Sequence, residues 1–374
     1  MKWQLLLLLA GVVGISCFFL RDEKLSAELE VSDFKEDYGL MGDGIADDTK
    51  AIQEAIDETP ERGTLYLPAG IYKLSRNSEH KAITGYGESF FSLKITKPIT
   101  IIMEEAIFKT ETDGKHGVFW IHRTSEVHLK GGFLMGDKLP DEKSLVTNIA
   151  VLIHNSQDSS VENMYTKNYS QGIHLHQADN NVIRKVTTEY NTGSGIINFA
   201  SDYNLIDSCV VRNSSDGHLS LYGVGEHNHV VNCMVTENRP GFTAEQGITV
   251  ESERYSTIEN CIVSGFYYGI DIKNAAESNL ILSNHTFNNQ YNIAVRPGDG
   301  GENLMTPSHN TRIINNLALN PRADSPYGIY VSVGTGHEIT GNTLNKGQLI
   351  ITDEAKLKEY KDQNFFVEEI EEER

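Results

Sequence analysis

Proline is scarce in this chain, 9 in 374 residues, and cysteine is scarcer, at 4. So few cysteines cannot staple a fold of this length, which excludes a disulfide-built scaffold. Positive charge is also short. Against 52 Asp and Glu stand 32 Lys and Arg, a formal charge of −20. A chain this acidic repels nucleic acid and anionic lipid at long range, so neither is expected as a partner. Nothing in the composition points to a coiled coil. What is present leans towards β structure: 32 Gly and 16 Tyr accompany many Val, Ile, Thr and Asn. Apolar residues, at 39%, suffice for a continuous core and exclude global disorder. The length exceeds that of most single domains, but one elongated repeat domain accounts for all of it.

Met1-Lys2-Trp3-Gln4 precedes sixteen uncharged residues, Leu5 to Leu20, which end at Arg21-Asp22-Glu23-Lys24. A basic start before an apolar run reads as a secretory signal. Gly14-Ile15-Ser16-Cys17 also resembles a bacterial lipoprotein signal, with Cys17 as the lipidated residue. A retained anchor is the third reading, the run being just short of the ~20 residues that span a bilayer. All three export the rest of the chain. Residues 1–24 are therefore expected to be a targeting segment and the sole contact with a membrane. The body is expected to be secreted or held at the cell surface.

Beyond residue 115 the chain repeats itself. "VLIH" at 151 is followed by "IHLH" at 173, "INFA" at 197, "LSLY" at 219 and "ITVE" at 248, then "IDIK" at 270, "IAVR" at 293, "IYVS" at 329 and "LIIT" at 349. The step is near 22 residues, with longer steps where loops are inserted. Each segment alternates apolar and polar, as a strand with one buried face does. Gly172, Gly217, Gly247, Gly269 and Gly328 precede strands, where a corner at positive φ is expected. A second ladder runs Met164, Val186, Cys209, Cys233, Cys261, Asn284, Asn316, so like stacks on like. Stacked Asn amides can bond along the axis. The cysteines read as small core residues, although a rise of about 4.8 Å per coil brings them near disulfide range. Their spacing does not suit zinc.

Short strands at this step cannot pair as hairpins; they pair in parallel with their equivalents one coil away. The expected fold is all-β, a single-stranded right-handed parallel β-helix over residues 32–352. An open end of such a helix exposes strand edges and needs covering. Residues 47–59, with Ala51, Ile52, Ala55 and Ile56 at helical spacing and Asp47 or Asp48 as N-cap, are expected to form an N-terminal capping helix. Residues 353–374, rich in Glu and Lys around Phe365-Phe366-Val367, read as a C-terminal cover with a frayed acidic end. "DYGLMGDGIADDTKAIQEAI" followed by "GTLYLPAGIYKL" strongly resembles the opening of the pectate-lyase-like superfamily. That superfamily holds pectate lyases, polygalacturonase-type hydrolases, alginate C5-epimerases and phage tailspikes. The resemblance implies the fold; it does not choose the reaction.

With Ile173 and Leu175 pointing in, His174 and His176 point out. One outward column then reads His122, His154, His176, Ala200, Tyr222, Glu251, Lys273, Arg296 and Ser332. Its neighbour reads Leu152, His174, Asn198, Ser220, Thr249, Asp271, Ala294 and Tyr330. A strip of His, Tyr, acid and base suits a long polar ligand such as a polysaccharide, whose aromatic contacts and charge pairs it can supply. A metal held by His122, His154 and His176 is not expected, because a straight column spreads its ligands along the axis.

The superfamily's chemistries leave different marks. "SDGHLSLYGVG" resembles the His segment of polygalacturonase-type hydrolases and "YGIDIKN" their Arg-x-Lys segment, but their Asp trio is missing, and hydrolysis needs paired carboxylates. Alginate epimerases and related lyases carry a Tyr-Gly-Phe-Asp-Pro-His-Glu coil. "SQGIHLHQ" matches its His with His176 but has His174 for Asp and Gln171 for Tyr; "YYGIDIKN" matches Tyr268 and Asp271 but has Lys273 for His. The resemblance implies abstraction of the proton beside a uronate carboxylate, with His176 or Lys273 as base, His174 beside it, and Tyr222 or Tyr268 returning a proton. Arg296 would bind the carboxylate. His122, His154, Asn198, Glu251, Asp271 and Tyr330 would line the substrate. The expected function is a lyase or C5-epimerase of uronate-containing glycans. The alternatives are a hydrolase without the usual acids and a non-catalytic glycan-binding or adhesive β-helix. Calcium is compatible with Glu251 and Asp271, but no dense carboxylate cluster demands it. The oligomeric state is not legible.

Overall fold

The computed structural model describes residues 38–84, 87–110, 116–137, 148–299, 306–322 and 327–368. Residues 1–24, expected to be a targeting segment, with Cys17, and the end of the acidic tail lie outside these residues. Among the described residues no helix is long and apolar enough to cross a membrane.

Short strands wind into a parallel β-solenoid of about 11 turns, with three sheets of 13, 12 and 11 strands among the described residues. Among the described residues pairing is parallel except where Asn77–Thr84 returns antiparallel on Gly87–Ile95. Within each turn one residue in two points into a single core that runs the length of the molecule. Tyr72, Phe108, Phe119, Ile153, Ile173, Ile196, Leu221, Ile248, Ile270, Ile293 and Ile329 lie in it, fully buried. Fully burying such a side chain is worth about 1.5–3 kcal/mol. Stacked β-branched residues fit the pleat, which is why Val and Ile dominate.

The corners differ from expectation. None of Gly172, Gly217, Gly247, Gly269 and Gly328 has positive φ. Gly172 is required by crowding instead: a Cβ there would lie 2.1 Å from Thr188 Oγ1 and 2.6 Å from Gly195 O. The left-handed corners fall elsewhere, many on Asn: Asn155, Asn163, Asn180, Asn213, Asn232, Asn260, Asn288 and Asn315 all have φ between 49° and 57°. Asn tolerates that region better than most side chains do, and this accounts for much of the Asn content.

The Asn ladder bonds along the axis as expected. Asn284 Nδ2 donates to Asn316 Oδ1 at 3.0 Å, Asn316 Nδ2 to Asn342 Oδ1 at 3.0 Å, and Asn342 Nδ2 to Asn364 Oδ1 at 2.9 Å. Cys209, Cys233 and Cys261 are buried free thiols. The helix read near residue 50 spans Thr49–Glu58 and buries Ile52, Ala55 and Ile56. Asp48 holds its N-cap position but does not cap: its carboxylate accepts the Met41 and Gly42 N–H groups at 2.8 and 3.1 Å. Asp47 Oδ1 takes the Thr49 N–H instead, at 3.0 Å. At the other end, Phe365–Val367 pairs with Thr343–Asn345, so the segment after residue 352 continues the 13-stranded sheet.

Candidate functional site

The 12-stranded sheet carries the outward columns. Parallel register places His122, His154, His176, Phe199, Tyr222, Glu251 and Lys273 side by side, one per rung. Arg296 follows Val295 in the same register. The adjoining column reads Trp120, Leu152, His174, Ile197, Ser220, Thr249, Asp271, Ala294 and Tyr330. Two expected members are displaced. Ile196, not Ile197, pairs with Ile173, so Asn198 pairs with Leu175 and faces the core. There it is fully buried, donating to Ser201 O at 3.0 Å and accepting from Asn204 Nδ2 at 2.8 Å. Asn198 therefore offers nothing to a ligand, Phe199 stands where Ala200 was expected, and Ala200 turns the corner at φ 46°.

At the N-terminal end the column is aromatic. Ring centroids run Trp120–His122 4.3 Å, His122–His154 5.3 Å, His154–His176 5.1 Å, His176–Phe199 4.9 Å and Phe199–Tyr222 5.3 Å. Lys94 Nζ lies 4.6 Å from the Trp120 ring centre. Burial pushes the His122 and His154 imidazoles down to about 4, and lowers His176 as well. All three are neutral at pH 7, and a neutral imidazole is a base. His174 is fully buried, bonded through Nδ1 to Gln171 Oε1 at 2.8 Å, and is in no position to touch a ligand directly.

The C-terminal end is charged. Arg296 Nε and Nη2 donate to Asp271 Oδ1 and Oδ2, each at 2.8 Å. Its Nη1 and Nη2 donate to Asp299 Oδ1 at 2.5 Å and Oδ2 at 2.8 Å. Lys273 Nζ donates to Asp299 Oδ2 at 2.8 Å and lies 3.5 Å from Glu251 and 3.8 Å from Asp271. Burial alone would lower Lys273, but Asp271, Asp299 and Glu251 outweigh it and the net shift is upward. The shift favours the cationic form of Lys273, one of the two residues read from the sequence as a base. The Arg296 guanidinium sits 4.1 Å from the centre of the Tyr268 ring. Tyr268, Tyr291 and Tyr327 occupy one column on successive rungs, with centroids 4.9 and 4.5 Å apart. Tyr330 stands against Tyr291 at 5.2 Å.

The sheet thus brings His122, His154, His176, Tyr222, Glu251, Lys273, Asp271, Arg296, Tyr268 and Tyr330 onto one face. His176 and Lys273 are four rungs apart, about 19 Å at ~4.8 Å per rung, so they sit at different places along one sheet face. Tyr291, Tyr327 and Phe199 were not singled out in the sequence, yet "YGI", "YNI" and "YGI" at 268, 291 and 327 mark the two tyrosines. No repeat marks Asp299. His218, in the segment resembling the hydrolase His, is fully buried and accepts the Ser214 N–H through Nε2 at 3.0 Å.

A family model described as periplasmic copper-binding protein (NosD) matches residues 117–303, half of the chain. A second, rhamnogalacturonase A/epimerase, pectate lyase-like, matches residues 36–110. Mannuronan C5-epimerase AlgE1 of Azotobacter vinelandii is 52% identical over 46 residues, 12% of this chain and 3% of that protein. The chain thus spans a small fraction of that relative's length. Among solved structures, the A-module of mannuronan C-5 epimerase AlgE4 from Azotobacter vinelandii superposes with a TM-score of 0.54 at 20% identity, over 84% of this chain and 98% of that one. Alginate lyase from Paenibacillus sp. str. FPU-7 gives 0.56 at 13% identity, over 77% and 97%. The copper in the family's description does not fit these residues. Among the described residues no group of three His, Cys, Asp or Glu is arranged to hold a metal ion. The rings of His122 and His154 are inclined at 44° and those of His154 and His176 at 85°, packed against each other rather than converging on a point. By its long family match and its solenoid, the chain belongs to the NosD family within the pectate-lyase-like superfamily of parallel β-helix proteins.

Proposed function

We propose that this is an exported carbohydrate-active protein whose groove takes a uronate-containing glycan and acts on it as a lyase or C5-epimerase. One observation carries the reading. A line of rings from Trp120 to Tyr222 leads directly into a charged group at Glu251, Lys273, Asp271 and Arg296 on the same sheet face. Rings stack on sugar faces, and cations hold carboxylates. Both lyase and epimerase begin by removing the proton beside the carboxylate, which needs a base that is unprotonated at working pH. His176, neutral through burial, is that base in our reading. Tyr222, two rungs on, is the proton-returning candidate on the same column, and Lys273 and Arg296 grip carboxylates further along the polymer.

The test is incubation of the folded chain with polymannuronate and polygalacturonate. Ultraviolet absorbance would report unsaturated ends and proton NMR would report inverted C5 centres. His176→Gln should lose about 10²–10⁴ in rate while retaining polymer binding. Turnover unchanged in this variant would remove His176 from its role. A second reading has its own support: neither coil that resembles the epimerase motif carries all of it, and the cations are already matched by internal acids. Polymer binding with neither product would establish the non-catalytic glycan binder. The hydrolase alternative gains nothing from the geometry, since Asp271, Asp299 and Glu251 are all bonded to Arg296, Lys273 or Asn274.

A further inference from the structure

Arg296 and Lys273 are both more than nine-tenths buried, at 6% and 5% exposed. Buried cations are fixed by what they face. Asp271, itself fully buried, takes one edge of the guanidinium through two bonds of 2.8 Å and sets its plane. The other edge, Nη1 and Nη2, donates to the carboxylate of Asp299, which Lys273 Nζ also reaches; Nη1 donates as well to Pro297 O at 3.1 Å, and Glu245 stands 4.0 Å from Nη2 without a hydrogen bond. Gln246 Nε2 approaches the same Oδ2 at 3.5 Å. Asp299 differs from Asp271 and Glu251, the other acids within 3.8 Å of the two cations. It comes from beyond the strand, just after Pro297, and its side chain is 51% exposed. Two buried cations and an amide therefore converge on one carboxylate that solvent can reach.

We infer that the Arg296–Lys273–Gln246 cradle is a carboxylate subsite and that Asp299 is an internal stand-in which a uronate carboxylate displaces. The inference rests on the uronate reading above and adds a regulation of that site: Asp299 holds the cradle until an acidic sugar takes its place. The charge count agrees: an incoming carboxylate replaces one negative charge by another, so the pair of cations is never left unmatched. The geometry agrees too. The two oxygens of Asp299 are bound as a guanidinium fork binds any carboxylate. The Tyr268, Tyr291 and Tyr327 rings form a further column beginning against the Arg296 guanidinium, where the sugar ring attached to that carboxylate would rest. Release of Asp299 breaks its bonds to Arg296 and Lys273, which the incoming carboxylate remakes, and turns a half-exposed side chain towards solvent. While it is bound, it competes with the ligand, so apparent affinity is reduced by the fraction of molecules with the cradle open.

Asp299→Ala opens the cradle without touching the two cations. In a thermal melt with sodium glucuronate as probe and glucose as its neutral counterpart, glucuronate should raise the midpoint of Asp299→Ala by mass action and leave the parent chain nearly unmoved; glucose should move neither. In titrations with an oligomannuronate, Asp299→Asn, whose shape is conserved, should bind about tenfold more tightly than the parent chain. A carboxyl-reduced oligomer should bind both alike. Equal affinities of parent and Asp299→Asn for the acidic oligomer, or an equal gain for the reduced one, overturn the stand-in. If the parent chain still binds the oligomer in that case, the groove reading survives alone. If no form binds either oligomer or glucuronate, both fall.

Discussion

His154 lies 8% exposed between two other imidazoles, His122 and His176, and a proton on any of them would be desolvated and repelled by the next. The sign of the resulting pH dependence follows. An unfolded His takes up a proton near 6.5, whereas folded His154 does so near 4. Between these values the unfolded chain holds more protons, so stability is full above about pH 6.5 and falls as pH drops towards 4. His154→Phe should keep the ring stack and remove part of that acid sensitivity, seen as a flatter plot of melting midpoint against pH over this window. A plot as steep as the parent's would disprove the assignment. Glu253 works in the opposite direction. Fully buried, with Oε1 accepting from Asn228 Nδ2 at 2.5 Å and Ser256 Oγ at 2.8 Å, it is pushed by burial from 4.5 up to about 7. Its contribution is present below about pH 4.5 and lost as pH rises through 7. Glu253→Gln should therefore stabilise the chain by about 1–3 kcal/mol at pH 8 and by little at pH 5, checked by urea unfolding at both. At this scale the sequence was only partly legible. Stacked histidines show as a repeat, but a buried charge such as Glu253 sits in an ordinary "ESER" turn. Asp299 acts through a fold-back that no periodicity encodes.

A turn of the solenoid is held by its neighbours above and below, and the Asn ladder shows how. Asn316 donates through Nδ2 to Ile281 O at 2.9 Å and Asn342 Oδ1 at 3.0 Å, while its Oδ1 accepts the Asn284 backbone N–H at 2.8 Å and the Asn284 amide at 3.0 Å. Replacing it takes hydrogen bonds from buried groups of the turns on either side, Ile281 O and Asn284 on one and Asn342 on the other. Asn316→Ala should cost about 2–4 kcal/mol, since each orphaned buried group forfeits about 1–3 kcal/mol. Because coils contact only their neighbours, hydrogen exchange should quicken around residues 280–345 and stay unchanged near 150–200. Uniform loosening along the chain would contradict nearest-neighbour coupling. Strand positions and this ladder were legible because one coil repeats the next. The slip at Ile196 was not, and the reason is physical. Register follows the alternation of apolar and polar residues, and in Ile196-Ile197-Asn198-Phe199 that alternation is inverted. Asn198 is satisfied inside by Ser201 O and Asn204, while Ile197 is buried on the outer side. A buried, fully bonded Asn reads as a surface residue until its partners are seen.

The whole chain carries a charge of −20, and the groove's two central cations are matched by Asp271, Asp299 and Glu251, so no large positive field surrounds the site. A polyuronate approaching this molecule meets net repulsion at long range and specific hydrogen bonds at short range. Repulsion acts over a Debye length, about 30 Å at 0.01 M salt and about 8 Å at 0.15 M. Added salt in this range should therefore speed association of an oligomannuronate, the reverse of what an attractive basic groove gives. Dissociation should change much less, because the contacts at Arg296 and Lys273 are buried and poorly screened. A carboxyl-reduced oligomer should associate at a rate indifferent to salt. Stopped-flow measurement at several salt concentrations checks all three. An association rate that falls with salt would mean that local cations dominate the approach, and then the acidity of the rest of the molecule would have no part in selecting its ligand. A rate that rises means that the protein discriminates by what it does in contact, through a cradle that has to exchange one carboxylate for another.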